Sequence, residues 1–255
     1  MYTGENSPVL LHKLRDSAKI STNPAAYRVL DVKVENLYIN KLNVEVNIDN
    51  TFREGVQAMA KTINIKEKYF RSVMETTCKI GLENITVRSM AKTLGVSEAA
   101  LYRHFIGKDQ LLSETYFYAE SLFWDRFAAE IYSHGFSDTF FSEILEQVWI
   151  GIFNYLRADD VLAVFLLRYR ASAEYTDQIR KDSMLSGSEM EPVMRIFRSQ
   201  IGEPSPSGIL AFDAALDACV CHVCRGLRLG ANVDPELDRK ISKAVSEVFM
   251  AHYTV

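Results

Sequence analysis

Cysteine is scarce in this sequence, with four residues in 255, and there are only 6 prolines and 12 glycines. Few cysteines, and an N-terminus without a basic stretch followed by an apolar one, argue against a secreted, disulfide-bonded protein. The longest purely apolar runs, such as VLAVFLL at 161–167, are far too short to cross a bilayer. We therefore expect a cytoplasmic protein that does not enter a membrane.

Sequence signatures of catalysis are also missing. The chain contains no P-loop, no G-x-S-x-G, no H-E-x-x-H and no G-x-G-x-x-G, and its five histidines are scattered. We therefore expect no enzyme and no cofactor. The absence of these motifs does not exclude an active site built from residues distant in sequence.

Charge is unevenly distributed along the chain. The formal net charge is −4, but residues 61–112 carry 9 Lys and Arg against 5 Asp and Glu, whereas residues 113–255 carry 13 against 21. A short basic segment attached to an acidic body indicates that one part of the protein binds a polyanion and the other does not.

Hydrophobic spacing is helical from about residue 63 almost to the end, which predicts an all-α protein. Cap residues mark short helices at the start of this region. Gly81 ends one helix, Thr86 begins a second that ends at Gly95, and Ser97 begins a third that runs through Phe105. Two helices joined by a tight turn in a basic segment predict a helix-turn-helix, whose second helix enters the major groove of DNA.

Residues 85–112, ITVRSMAKTLGVSEAALYRHFIGKDQLL, resemble the DNA-binding signature of the TetR/AcrR family of bacterial repressors. The matching positions are Thr86, Arg88, Ala91, Gly95, Val96, Ser97, Leu101, Tyr102, His104, Phe105, Lys108 and Leu111. The resemblance extends from Tyr69 to Leu112. It implies a three-helix DNA-binding domain at 61–112, followed by a helical ligand-binding and dimerisation domain at 113–255.

The resemblance also implies roles for single residues. Phosphate contacts are expected from Thr86, Arg88, Tyr102, His104 and Lys108, and base contacts from Glu98, Ala99 and Arg103. Arg103 has the donors to pair with guanine, and Glu98 can accept from cytosine. Taken singly, Tyr102 fits a core position, Lys108 a surface cation, and Glu98 a solvent-exposed side chain.

The segment from 116 to 175 is rich in aromatic residues, which suit a pocket for an apolar or aromatic effector. The candidate pocket residues are Phe123, Trp124, Phe127, Trp149, Phe153, Phe165, Arg168 and Tyr169. Arg168 is a candidate anchor for an anionic ligand, or a surface arginine beside an acidic neighbour. The aromatic residues fit a plain hydrophobic core equally well.

The last two helices carry apolar stripes that fit a dimer interface made of two helices from each subunit. The interface candidates are Phe212, Leu216, Val220, Val223, Leu227, Ile241, Val245 and Val248. The alternative is that both stripes pack inside one subunit.

The sequence CVCHVC at 219–224 offers Cys219, Cys221, His222 and Cys224 as soft metal ligands. On a helix, Cys221 and Cys224 share one side, whereas Cys219 and His222 lie on another. We therefore predict no metal site here and leave the role of the cysteines open.

Residues 1–60 precede the expected DNA-binding domain, and two interpretations fit them. The alternating run 42–48 predicts a strand and, with its neighbour, a β-hairpin arm. Alternatively Met59 is the native start, because Arg53-Glu54-Gly55 can be encoded by a purine-rich ribosome-binding sequence.

The sequence thus predicts a dimeric, DNA-binding transcriptional repressor that a small apolar or aromatic molecule releases from a palindromic operator. The alternative is a DNA-bound module that recruits a protein partner and has no small-molecule inducer. The ligand, the operator and the direction of regulation stay open.

Overall fold

The computed structural model describes residues 50–134, 141–183, 208–230 and 234–251. The chain divides into two units, residues 1–66 and residues 67–255. Of the first unit only the helical residues 50–66 are described, so the predicted β-hairpin lies outside the described residues. The described part contains helices and no strand, which confirms the all-α prediction.

The described residues contain nine helices. In chain order they are α1 (Asn50–Ile80), α2 (Val87–Leu94), α3 (Glu98–Tyr102), α4 (Lys108–His134), α5 (Phe141–Ala158), α6 (Asp160–Arg170), α7 (Asp177–Asp182), α8 (Gly208–Leu229) and α9 (Pro235–Ala251). Helix α5 is central to the body formed by α4–α9, because it packs against α4, α6, α8 and α9.

The predicted caps of the short helices are confirmed. The Thr86 hydroxyl accepts from the Ser89 N–H at 3.0 Å, and the Ser89 hydroxyl accepts from the Thr86 N–H at 2.9 Å. Gly95 ends α2 with a φ of 67°, a left-handed conformation that favours glycine. Because each cap satisfies backbone groups that a helix end leaves unpaired, the boundaries of α2 follow from local sequence.

Helix α3 ends at Tyr102, three residues before the predicted end. The N–H groups of His104 and Phe105 both bind the Leu101 carbonyl, at 2.9 and 3.0 Å, so the chain turns there. Phe105 is nevertheless buried, and its ring packs against Phe70 of α1 with 6.0 Å between centroids. This contact ties the turn to the first helix.

Candidate nucleic-acid interface

Helix α3 presents its polar side to solvent. Ser97 caps its first turn by accepting from the Ala100 N–H at 3.1 Å, and Leu101 is buried beneath it. The predicted base-reading residues, Glu98, Ala99 and Arg103, are all exposed. A slim, exposed helix held from behind by apolar side chains has the geometry required to enter a major groove.

Two predicted phosphate contacts lie at the end of α3 and at the start of α4. Tyr102 is 53% exposed, which fits a surface contact and not a core position. Lys108 is half-buried at the start of α4, and its Nζ lies 3.7 Å from Glu174 Oε1 in the loop after α6. The ammonium group must therefore leave a weak ion pair in order to bind a phosphate.

The other three predicted phosphate contacts differ in their exposure and in the contacts that they already make. Arg88 is exposed on α2. The Thr86 hydroxyl accepts from Ser89 N–H, and its own O–H can still donate. His104 is half-buried, with its ring edge-on to Tyr69 at 5.6 Å between centroids, so its apolar part helps to hold the turn.

Half of the predicted pocket residues come together in the body. We use the name aromatic cluster for six rings from α4, α5, α8 and α9, all at most 1% exposed. They are Phe123, Trp124, Phe127, Trp149, Phe212 and Phe249. Neighbouring ring centroids in the cluster lie 4.6–6.3 Å apart.

The remaining predicted pocket residues lie elsewhere. The Phe153 ring is edge-on to His222 at 4.9 Å, while Phe165 contacts Tyr169 at 5.9 Å. The Arg168 guanidinium donates to the main-chain carbonyl of Thr77, near the end of α1. Arg168 thus joins α6 to α1, and its described hydrogen bond goes to protein backbone and not into the aromatic cluster.

A buried polar cluster that the sequence analysis missed surrounds Arg170, whose side chain is 4% exposed. Its guanidinium donates to Asp213 at 2.7 Å, Asp217 at 2.6 Å, Tyr116 at 2.8 Å and Tyr175 at 2.9 Å. Burial lowers the pKa of Arg170, but the hydrogen bond to Asp217 and the neighbouring negative charges outweigh burial and raise it. The spacing of Asp213 and Asp217, one helical turn apart, is the signal that sequence analysis had available.

A second ion-pair cluster joins α5, α8 and α9. Arg157 donates to both carboxylate oxygens of Asp238 at 2.7 and 2.6 Å, and His222 Nε2 lies 2.7 Å from Asp238 Oδ1. Burial raises the pKa of Asp238, but the hydrogen bonds from Arg157 and His222 outweigh it and hold that pKa below 3.8.

The predicted interface residues divide between two faces. Phe212, Leu216, Val220 and Val223 are at most 1% exposed and pack inside this subunit, because they face the core of the body. Leu227 and Val248 are 40% and 53% exposed. Ile241, Val245 and Val248 line an apolar groove of about 460 Å³ between α8 and α9, together with Ala214, Ala215, Ala218, Cys221, His222, Arg225, Leu237 and Ala244.

The three cysteines of α8 differ in exposure. Cys219 and Cys224 are buried, and burial raises the pKa of the Cys224 thiol to about 11 and that of Cys219 further. Cys221 is exposed in the groove. Among the described residues, no three His, Cys, Asp or Glu side chains are grouped as a metal site would need.

A family model matches the part of the chain that contains α2 and α3. Residues 79–115 match the family model described as bacterial regulatory proteins, tetR family. No curated protein matches the sequence significantly. Within the part of the chain that the structure describes, no helix is long and apolar enough to span a membrane.

Several solved structures share the fold. A TetR family transcription regulator from Marinobacter aquaeolei VT8 is 19% identical, covers 74% of this chain and 97% of its own, and has a TM-score of 0.57. One from Shewanella sp. PV-4 is 18% identical, with coverages of 71% and 95% and a TM-score of 0.56. The regulator FadR from Bacillus subtilis, solved with stearoyl-CoA, is 16% identical, with coverages of 73% and 98% and a TM-score of 0.51. The chain thus matches the tetR family of bacterial regulatory proteins over residues 79–115 and has the fold of TetR-family transcription regulators.

Proposed function

We propose that the protein is a dimeric transcriptional repressor that binds a palindromic operator and leaves it when a small apolar molecule enters the body. The observation that carries the proposal is the exposed polar side of α3, held from behind by Leu101 and Phe105, in the basic segment of an otherwise acidic chain. Arg103 and Glu98 are the proposed base readers, and Tyr102 and Lys108 bind the flanking phosphates.

Loss of the phosphate contacts should weaken DNA binding. Tyr102→Ala and Lys108→Ala should each reduce affinity for the upstream intergenic DNA by about tenfold to a hundredfold, as hydrogen bonds to charged groups do. Lys108→Ala should also lower the slope of log affinity against log salt, because fewer counterions are released. Fluorescence anisotropy across a salt series measures both effects.

Tyr132→Ala is the matched control for Tyr102→Ala. Tyr132 is 54% exposed against 53% for Tyr102, but lies at the far end of α4. This control should bind DNA like the parent protein. Equal binding by all three variants, or binding by the parent protein that does not depend on salt, would contradict the proposed interface.

A second copy of the chain is the proposed occupant of the groove between α8 and α9. One recognition helix binds weakly, and a two-fold dimer places two such helices in half-sites about 34–36 Å apart. The groove is apolar, and small side chains such as Ala214, Ala218 and Ala244 allow helices of two subunits to approach closely. The proposed interface is therefore this outer face, with Ile241, Val245 and Val248, and not the inward residues such as Phe212.

Charge placed in the groove should separate the subunits. Ala214→Glu should give monomers in analytical ultracentrifugation, because it buries an unpaired carboxylate at the interface. Ala129→Glu, at an exposed position on α4, should remain dimeric. The exposed Cys221 supplies a second measurement, because its thiol should react slowly in the dimer and rapidly in the monomeric variant. A monomeric parent protein would contradict the dimer.

The same groove favours a second candidate function, in which a partner protein docks there and no small molecule is needed. Ultracentrifugation distinguishes the two functions. A parent protein that is monomeric, binds DNA and has a freely reactive Cys221 supports the partner-binding function. FadR of Bacillus subtilis was solved in complex with stearoyl-CoA, whose long acyl chain is apolar, and this supports the first function.

A further inference from the structure

Two buried N–H groups of the aromatic cluster have no hydrogen-bond partner among the residues that the structure describes. They are Nε1 of Trp124 and Nε1 of Trp149, on side chains that are 1% and 0% exposed. Among the described residues, the other buried side-chain atoms without a partner are Thr77 Oγ1 and Ser246 Oγ. An unpaired buried donor destabilises a fold, and such exceptions require an explanation.

The two indoles belong to one connected set of rings. Trp124 and Trp149 both contact Phe127, with centroid separations of 5.5 and 4.8 Å. Ser246 is buried on α9, one turn before Phe249, whose ring contacts Trp149 at 6.2 Å. The aromatic cluster therefore combines large apolar walls with two groups that can only donate.

The buried hydroxyl of Tyr116, by contrast, is paired. The Tyr116 hydroxyl donates to Glu120 and accepts from Arg170, at 3.0 and 2.8 Å. A phenyl ring at positions 124 and 149 would provide much of the same apolar area without an unpaired N–H. The indoles thus add donors to the cluster that the described protein atoms do not use.

We propose that the aromatic cluster is the effector site, and that the indole N–H groups of Trp124 and Trp149 donate to a carbonyl or ether oxygen of an uncharged, largely apolar molecule. The inference rests on the proposed function, and it specifies the chemical class of the ligand. Neutral N–H donors match a neutral acceptor, and the six rings supply no positive charge to compensate a buried carboxylate. When the molecule enters, rings of the aromatic cluster that are in contact in this structure must move apart.

Matched pairs of probes test the role of the acceptor. Acetophenone and methyl naphthyl ketone each carry a carbonyl, whereas cumene and isopropylnaphthalene have similar shapes without one. The sequence has only two tryptophans, so isotope-labelled full-length protein gives two indole N–H resonances, which Trp124→Phe and Trp149→Phe assign. Each probe is titrated by NMR, with the indole N–H resonances followed in the parent protein and backbone amide resonances used to measure affinity in every variant.

At least one ketone should shift an indole N–H resonance downfield in a saturable manner and bind about tenfold more tightly than its hydrocarbon partner, as one or two added hydrogen bonds require. The double variant, Trp124→Phe with Trp149→Phe, should lose that preference and keep its affinity for the hydrocarbon within about threefold. Thr77→Val, which removes an unpartnered hydroxyl outside the cluster, should keep the preference.

Equal binding of ketone and hydrocarbon, or no saturable shift with any of the four probes, would overturn the proposal and leave a buried water as the partner of the indoles. A preference that survives in the folded double variant would also overturn it. DNA binding is measured on the same preparation without probe. DNA binding without a ketone preference refutes the effector site alone, whereas a ketone preference without DNA binding refutes the proposed function.

Discussion

Replacing Arg170 with methionine should lower the free energy of unfolding by about 3–5 kcal/mol, the usual effect of removing one partner of a buried ion pair. Arg170 is 4% exposed, and the carboxylate of Asp213 beside it is 15% exposed. Methionine fills much of the space but cannot donate. The substitution leaves Asp213 and the Tyr116 and Tyr175 hydroxyls without their shared donor.

Thermal and urea denaturation measure this effect. For a domain of this size the midpoint should fall by about 6–20 °C. Arg180→Met is the matched control, because the Arg180 side chain is 42% exposed in its pair with Asp177, and its loss should cost about 0.5 kcal/mol or less.

A double variant tests the physical reason for the loss. If uncompensated charge is the cause, Asp213→Asn added to Arg170→Met should recover part of the lost stability, since the remaining side chain is neutral. Strictly additive losses in the double variant, or a midpoint that hardly moves in Arg170→Met, would show that the cluster contributes little.

Replacing Asp238 with asparagine should cost about 3 kcal/mol at pH 7. The Asp238 side chain is 6% exposed and accepts charge-assisted hydrogen bonds from both terminal nitrogens of the Arg157 guanidinium. An amide keeps the shape but loses the charge, and one of its two oxygens becomes a donor facing another donor. The cluster joins α5 to α8 and α9, so the loss reaches the pair of helices that line the groove.

The stability contributed by Asp238 depends on pH. Its pKa is lower in the folded state than the ordinary value of 3.8, so its contribution is complete above that value and is lost as the pH falls through the folded pKa. The difference in unfolding free energy between parent and Asp238→Asn should therefore be full at pH 7 and shrink below about pH 4. Urea denaturation at a series of pH values measures it, and a difference that is constant with pH would contradict the assignment.

The helix-turn-helix was predictable because its determinants are local. Thr86, Ser97 and Gly95 satisfy backbone groups within a few residues, so their roles could be assigned before the tertiary structure was known. The predicted end of α3, Phe105, lies three residues beyond the observed end. The buried Phe105 continues the helical spacing, but the chain has already turned when it packs on Phe70.

The body was less predictable because its packing partners are distant in sequence. The apolar stripe of α8 fits a dimer interface or a core equally well, and only the position of α5 and α6 shows that Phe212, Leu216 and Val220 face inward. Arg168 and Arg170 lie two residues apart on one helix, yet one binds a backbone carbonyl of α1 and the other a cluster of carboxylates and tyrosines.

The helical class, the capped helix-turn-helix and the contrast between a basic segment and an acidic body could be inferred without any tertiary structure. Hydrophobic periodicity and helix caps depend on residues a few positions apart, and net charge is a sum along the chain, so none of them requires knowledge of tertiary contacts. Which apolar faces are buried, which aromatic rings form one cluster and which arginines are paired inside the body became clear only from the packing of the helices. These depend on contacts between helices that lie tens of residues apart, and hydrophobic burial is non-directional, so the spacing of apolar residues does not specify their partners.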